Sequence, residues 1–302
     1  MRPSFFSDDN PLAQLAITFL TCLTCLFLFV YLGSLLSFYF YHVHPADLQM
    51  ELENSKNVEL QKFFQLIQGI GLFMIPPLIL GKLFTGKSFE YLRLTKIPTG
   101  YQFLLVLVIA IFSIPVINLL AELNAMIKFP ASMSGIQNYI DRTSKTYQTI
   151  SESFLRVSSI KGLLVNLLIV AVVPAIGEEF LFRGVLQRIF TNWFRNAHWG
   201  IFISAFVFSA IHMEFYGFFP RLLLGMMFGY FLYWSGSIWL SILGHFINNA
   251  VAVIIFYLIT NSIVNEKMAD IGSTTEILPY TIICCTFIGA GIFLLSKKKH
   301  SY

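Results

Sequence analysis

Long runs of apolar residues recur along the chain and are separated by shorter polar stretches. Most runs approach the roughly 20 residues that an α-helix needs to cross the hydrocarbon layer of a membrane. Backbone hydrogen bonds in lipid must be made within the protein, so runs of this length predict helices. We predict eight spans, at residues 12–40, 60–83, 101–126, 160–190, 199–213, 219–234, 237–260 and 277–296.

The composition supports a membrane protein and excludes a soluble domain. Hydrophobic residues make up 56% of the 302 residues and charged residues only 12%. In an average soluble domain about 25% of the residues are charged. The predicted fold is therefore all-α, a polytopic transmembrane helical bundle. The net charge of +4 lies mostly in short loops and at the C-terminal end, so nucleic-acid binding is not expected.

The charges of the loops predict the orientation in the membrane. The loop 43–59 carries four acidic residues and one lysine, whereas the stretch 81–99 carries four basic residues. Short loops rich in Lys and Arg face the cytoplasm. We therefore expect 81–99, both termini and the basic cluster 297–299 to be cytoplasmic. The polar stretch 127–159 then lies outside, where it could form a surface helix or a lid.

The apolar runs divide the chain into three regions. We assign 1–159 to N-terminal transmembrane helices and a polar loop, 160–260 to a core, and 261–302 to a loop with the last helix and a basic tail. Cys22 and Cys25 form a C-x-x-C pattern, but it stands in a Leu/Phe/Thr run without a βαβ pattern nearby. We interpret these cysteines as ordinary helix-packing residues.

Polar residues inside the apolar runs are the candidates for function, because a charge near the bilayer centre costs about 2.5 to 3.5 kcal/mol. Glu178 and Glu179 follow the apolar string LLVNLLIVAVVPAIG. His212 ends the run IFISAFVFSAIH. His245 lies in another run, with Asn249 shortly after it. Three predicted helices thus each carry a buried polar group, and these groups could converge on one pocket. Each of these polar groups could instead make a structural hydrogen bond between helices.

The spacing of these residues on helices predicts contacts. Glu179 and Arg183 are four apart, with the acid first, which favours an ion pair. Glu178 lies about 100° around the helix from its neighbour, so it can point elsewhere. His245 and Asn249 are also four apart and can aim two hydrogen-bond donors at one atom. A carboxylate and a histidine that activate water, with two donors for an oxyanion, form a hydrolytic set.

Other charged residues and the residues before Glu178 are expected to have simpler roles. Glu122 and Glu214 stand at the ends of apolar runs, where we expect them at the membrane interface. Pro174 and Gly177 precede Glu178 closely and could bend the helix or admit a close neighbour.

Three short strings resemble the motifs of one protein family. Glu178 to Arg183, in the order EEFLFR, resembles the E-E-x-x-x-R signature of the CPBP family, which contains CAAX proteases and bacteriocin-processing enzymes and is also called the Abi family. Phe208 to His212 resembles its F-x-x-x-H motif, and His245 to Asn249 its H-x-x-x-N motif. The order and spacing of the motifs also fit, and together they span 178–249.

The resemblance implies a glutamate intramembrane endopeptidase similar to the type II CAAX prenyl proteases, which cleave after a prenylated cysteine. It implies Glu178 as general base for water and His212 as its partner. It implies His245 and Asn249 as oxyanion donors, with the predicted ion pair supporting the site. The expected partners are the lipid bilayer and a peptide or protein substrate in the membrane, prenylated or not. The expected location is the bacterial cytoplasmic membrane, where such proteins are tied to bacteriocin processing, self-immunity or unknown peptides.

The residues exclude some alternative protease mechanisms and leave other functions open. An H-E-x-x-H motif is absent, no aspartate lies within a predicted span, and the string 233–236 lacks the first glycine of a rhomboid-like G-x-S-G. A non-catalytic peptide-binding protein, an immunity protein or a transporter could use the same polar pocket. No cofactor is expected, although Glu178, His212 and His245 could form a two-histidine, one-carboxylate zinc site.

Overall fold

The computed structural model describes residues 10–54, 57–266 and 278–297. Within these ranges the protein consists of helices joined by loops and contains no strand. The longer helices are α1 (Pro11–Tyr41), α2 (Val58–Thr85), α3 (Gly100–Ala125), α4 (Ser134–Leu155), α5 (Ile160–Phe194), α6 (Ala197–Ala210), α7 (Phe218–Ser235), α8 (Ile238–Thr260) and α9 (Leu278–Ser296). Shorter helical segments cover Leu48–Glu53, Ser88–Tyr91 and Ala131–Met133.

The predicted fold class is confirmed. All the longer helices except α4 coincide with the predicted apolar runs. The helices α1, α2, α3, α5 and α8 are long and apolar enough to cross a membrane, and α6 and α9 are shorter apolar helices. The chain is therefore an integral membrane protein, whereas the count of eight spans and the division into three regions stay predictions. The basic tail beyond Lys297 lies outside the described residues.

The ends of the helices follow from their local sequence. The side chain of Asn10 caps the first turn of α1. Thr99 and Gln102 form a reciprocal capping box at the start of α3. Gly86 after α2 and Gly236 after α7 adopt φ values of 82° and 68°, a left-handed conformation that glycine reaches without steric cost.

Three π-helical segments interrupt the α2 and α5 helices, at Ile70–Met74, Leu167–Val172 and Phe180–Leu186. Prolines follow the first two segments closely, at Pro76–Pro77 and at Pro174. Proline has no N–H to continue the α-helical hydrogen bonds, and a widened turn before it relieves this mismatch. The α-helical stretch between the second and third π segments carries both glutamates of the E-E-x-x-x-R string.

Gly177 brings α5 into close contact with α2 immediately before Glu178. A Cβ atom at Gly177 would lie 2.8 Å from Cβ of Phe73 and 3.0 Å from Cγ of Met74. A larger residue would therefore force the two helices apart. Gly177 was expected either to bend the helix or to admit a close neighbour, and in the structure it admits a close neighbour. This contact fixes the part of α5 that carries the glutamates against the rest of the bundle.

Candidate active site

Glu179 and Arg183 form the buried ion pair that their spacing predicts. Glu179 is 0% exposed and Arg183 is 1% exposed. Oε1 of Glu179 lies 3.0 Å from Nη1 of Arg183 and 2.8 Å from Nδ1 of His245. Nη2 of Arg183 donates to the carbonyl of Gly225 at 3.1 Å. Because these residues lie on α5, α7 and α8, the network holds three helices together under the site.

Aromatic rings enclose this network. Cζ of Arg183 lies 4.6 Å from the ring centre of Phe208 and 5.6 Å from that of Phe228. The ring of Phe228 also stacks on His245, with a centroid distance of 5.2 Å and an angle of 14° between the planes. Such contacts attract the guanidinium to the ring faces and exclude water from the ion pair. They also hold the imidazole of His245 in a fixed orientation.

The carboxylate of Glu178 lies near His245. Oε2 of Glu178 lies 3.8 Å from Nε2 of His245. Since the carboxylate of Glu179 accepts a hydrogen bond from Nδ1 of that ring, Nδ1 carries a hydrogen. Nε2 can then donate to an oxyanion only when the ring is the doubly protonated imidazolium.

His212 presents one ring nitrogen to the same region. Its Nδ1 donates to the carbonyl of Phe208 at 2.7 Å. A carbonyl oxygen only accepts, so in the neutral ring Nε2 is left as a hydrogen-bond acceptor. His212 and Glu178 line one cavity, and both side chains can accept a hydrogen bond there.

Asn249 is held in place by two neighbours. Its Nδ2 donates to the carbonyl of Val170 at 3.0 Å, and its Oδ1 accepts from Nδ2 of Asn248 at 3.2 Å. An amide nitrogen has two hydrogens, and the carbonyl of Val170 uses one of them. The second hydrogen is left to point at a ligand. Asn248 was not predicted as a site residue; its place next to Asn249 was the one signal in the sequence of a shared function.

The four residues predicted as catalytic meet in one cavity. Glu178, His212, His245 and Asn249 all line a space of about 500 Å³ whose walls come mainly from α5, α7 and α8. A second cavity, of about 370 Å³, is lined mainly by apolar side chains of α1, α2 and α5 and also reaches Glu178. The carboxylate of Glu178 therefore stands where a mostly apolar cavity and a more polar one meet. In the described part of the chain, no three His, Cys, Asp or Glu side chains are placed to hold a metal ion.

A second ion pair, which was not predicted from the sequence, borders the cavity. Nη2 of Arg221 lies 3.3 Å from Oε2 of Glu214, which is 9% exposed. The carboxylate of Glu214 also accepts the backbone N–H groups of Tyr216 and Gly217 at 3.0 and 2.6 Å. Glu214 therefore fixes the turn before α7. Its position at the end of an apolar run gave no sign of this role, because the partner lies seven residues further on.

The polar stretch 127–159 contains the helix α4, which has no buried residue. Tyr147 and Leu155 of this helix line the 500 Å³ cavity. The hydroxyl of Tyr216 donates to Asp141, and Ser144 donates to Glu214 at 3.0 Å. The bond from Tyr216 holds the pKa of Asp141 below its usual value. Asp141 therefore stays charged at neutral pH, and this tether of α4 weakens only when the pH falls through that lowered pKa.

Comparison with known proteins agrees with the three motifs. Residues 160–251 match a family model described as Type II CAAX prenyl endopeptidase Rce1-like. No curated protein and no solved structure matches the chain. The matched residues run from the start of α5 into α8 and include all three motifs. The resemblance to the CAAX proteases is thus confirmed, and the family that residues 160–251 match is that of the Rce1-like type II CAAX prenyl endopeptidases, a family of membrane proteases.

Proposed function

We propose that the protein is an intramembrane endopeptidase in which Glu178 activates water to hydrolyse a peptide bond. The observation that carries this proposal is the meeting of Glu178, His212, His245 and Asn249 in one cavity within the helical bundle. Each polar group in such a place costs free energy, and a hydrolytic site gives a reason for all four.

The proposed reaction uses each side chain in turn. A water molecule held between Glu178 and Nε2 of His212 gives a proton to the carboxylate, and its oxygen attacks the carbonyl carbon of the substrate. Nε2 of the imidazolium of His245 and Nδ2 of Asn249 donate to the resulting oxyanion. The carboxylic acid of Glu178 then returns the proton to the leaving nitrogen as the C–N bond breaks. One water is consumed, and no covalent enzyme intermediate forms.

The proposed substrate is a membrane peptide with a lipid or another large apolar group near the cleaved bond. The 370 Å³ cavity that reaches Glu178 is lined mostly by residues such as Leu26, Phe27 and Phe73. An aliphatic chain in this cavity would lie beside the catalytic carboxylate, because the two cavities share that residue. A prenylated cysteine, the substrate group that the name of the CAAX prenyl endopeptidase family implies, fits this arrangement.

Replacement of Asn249 by alanine should abolish most activity and leave the fold intact. Loss of one oxyanion donor costs about 100- to 1000-fold in turnover. Loss of a hydrogen bond between membrane helices costs only about 0.6 kcal/mol on average. Turnover and the thermal unfolding midpoint in detergent should be measured together. Asn261→Ala is the matched control, since its amide also donates to a backbone carbonyl of another segment, at Val157, but lies outside the cavity. Equal turnover of the two variants would remove Asn249 from the mechanism.

We propose further that the reaction needs no metal ion. His245 uses Nδ1 on Glu179 and has Asn249, a poor zinc ligand, one turn away. Prolonged dialysis against a strong chelator should therefore leave turnover within about twofold of the untreated protein, far from the loss that removal of a catalytic metal produces. Metal analysis of the same samples provides the control. Stoichiometric zinc, with activity lost on its removal and restored on its return, would contradict the metal-free mechanism.

We propose that both termini face the cytoplasm of a bacterial cell. Lys87, in the basic stretch 81–99, and Tyr139, on α4, are exposed and can be replaced by cysteine. The four native cysteines lie within α1 and α9. In intact cells, a maleimide that cannot cross the membrane should label cysteine at 139 and not at 87, because basic loops stay inside. Permeabilised cells, in which both should react, are the control; the reverse pattern in intact cells would invert the proposed orientation.

A further inference from the structure

Arg221 lines the catalytic cavity but belongs to none of the three motifs. It lies in the first turn of α7, and its side chain is 17% exposed. Nη2 contacts Glu214, whereas Nη1 is buried and has no hydrogen-bond partner among the described residues. A buried guanidinium donor without an acceptor costs free energy, and native proteins seldom tolerate one without a reason. One end of this guanidinium is thus anchored, and the other has no acceptor among the described residues.

The surroundings of Arg221 leave part of its charge uncompensated. Its partner Glu214 also accepts hydrogen bonds from the backbone of Tyr216 and Gly217 and from Ser144. The single negative charge of Glu214 is therefore shared among four donors. Glu178, in the same cavity, interacts electrostatically with Arg221 but makes its own ion-pair contact with His245.

Gly217 makes room for the guanidinium. A Cβ atom at this position would lie 2.5 Å from Nη2 and 3.1 Å from Cζ of Arg221. Any larger residue would push the arginine out of its place beside Glu214. The position of the guanidinium is therefore fixed by the space at Gly217 and by its contact with Glu214.

We propose that Arg221 binds a carboxylate of the substrate. This inference rests on the proposed function, because it names the chemistry of the peptide that enters the same cavity. A carboxylate carried into a membrane protein needs a cation, and the planar guanidinium matches its geometry. The cavity of about 500 Å³ has the size of a site for a small ligand, so it holds only a short segment of peptide. The carboxylate therefore lies close to the cleaved bond.

Two groups on a peptide could supply this carboxylate, namely the C-terminus or an acidic side chain. Three peptides with the same apolar sequence and a farnesylated cysteine four residues from the end separate the two sources. The first ends in a free carboxylate, the second in an amide, and the third in an aspartate whose C-terminus is amidated. Their binding to Glu178→Gln protein in detergent micelles is measured by fluorescence anisotropy, so the result does not depend on turnover.

We expect the free-acid peptide to bind at least about tenfold more tightly than the amide, the size of effect that a charged hydrogen bond gives. Arg221→Gln, added to the Glu178→Gln protein, should remove this difference by weakening the binding of only the carboxylate-bearing peptides. Arg221→Lys should keep part of the difference. The aspartate peptide should bind as tightly as the free-acid peptide if Arg221 accepts any nearby carboxylate. It should bind as weakly as the amidated peptide if Arg221 recognises only the C-terminus. Arg142→Gln, a change at an exposed arginine on α4, should keep the difference.

Two results would overturn the inference. One is that the Glu178→Gln protein binds the free-acid and amidated peptides equally, or binds neither. The other is an equal loss for both peptides in the Arg221→Gln variant, the behaviour of an arginine that only stabilises the turn before α7. Failure of the wild-type protein to cleave a peptide that it binds would contradict the proposed hydrolysis and leave this measurement unaffected.

Discussion

The Glu178→Gln variant is expected to fold normally and to lose peptide hydrolysis, with turnover lower by about 10²- to 10⁴-fold, the usual contribution of a general base. Glutamine has nearly the same shape as glutamate, so the cavity and its neighbours should be preserved. Its amide oxygen cannot accept a proton from water at neutral pH, however, and it cannot return one to the leaving nitrogen. Peptide binding should survive, since binding does not require proton transfer.

Cleavage rate, peptide affinity and unfolding midpoint should be measured on the same preparations. The matched control is Glu90→Gln, a change at an exposed glutamate that pairs with Lys87 on the surface. This control should keep wild-type turnover. Loss of cleavage with retained binding distinguishes a protease from a non-catalytic peptide-binding protein that uses the same pocket. A Glu178→Gln variant with turnover within about threefold of the wild type would exclude Glu178 as the general base.

Replacement of Arg183 by methionine should destabilise the protein by about 3 to 5 kcal/mol, because it removes the guanidinium that pairs with the buried Glu179 carboxylate. Glu179 is 0% exposed, and His245 remains as its other close partner. The variant also loses the hydrogen bond to the carbonyl of Gly225 that joins α5 to α7. Unfolding by denaturant in mixed micelles measures the change in free energy.

An exposed ion pair on the same protein gives the comparison. Lys87 and Glu90 lie 2.8 Å apart, with side chains 67% and 56% exposed. Lys87→Met should cost less than about 1 kcal/mol, since exposed pairs contribute little. Adding Glu179→Gln to Arg183→Met should restore part of the lost stability by removing the buried charge that has lost its arginine. Equal effects of Arg183→Met and Lys87→Met would show that the buried pair does not hold the bundle together.

The sequence was sufficient to predict the apolar helices and the residues that converge on the cavity. Helices in lipid must satisfy their own backbone, so the length of an apolar run is a direct signal. Glu178, His212, His245 and Asn249 stood out because polar groups in such runs are costly. The i,i+4 pairing of Glu179 with Arg183 was also predictable, because it is a property of a single helix.

Other features depend on contacts between distant parts of the chain. Pro174 was a local signal for the first π-helical segment of α5, whereas no proline follows the second segment, Phe180–Leu186, closely. The stretch 127–159 was expected outside, but its polar residues did not distinguish a helix from a lid. The structure has an exposed helix that contributes Tyr147 to the cavity. Arg221 was missed because an arginine at the start of an apolar run usually marks the membrane interface.

Analysis of the products that the purified protein makes from a membrane peptide tests the central claim most directly. The protein in lipid nanodiscs is incubated with prenylated and unprenylated peptides in water enriched in oxygen-18, and the products are sequenced by mass spectrometry. Hydrolysis by Glu178-activated water predicts two fragments whose masses sum to the peptide plus one water. The heavy oxygen should be in the new C-terminal carboxylate, and the fragments should be absent with the Glu178→Gln variant. Intact peptide after incubation under conditions where it is bound, or equal cleavage by the wild-type and Glu178→Gln proteins, would contradict the account.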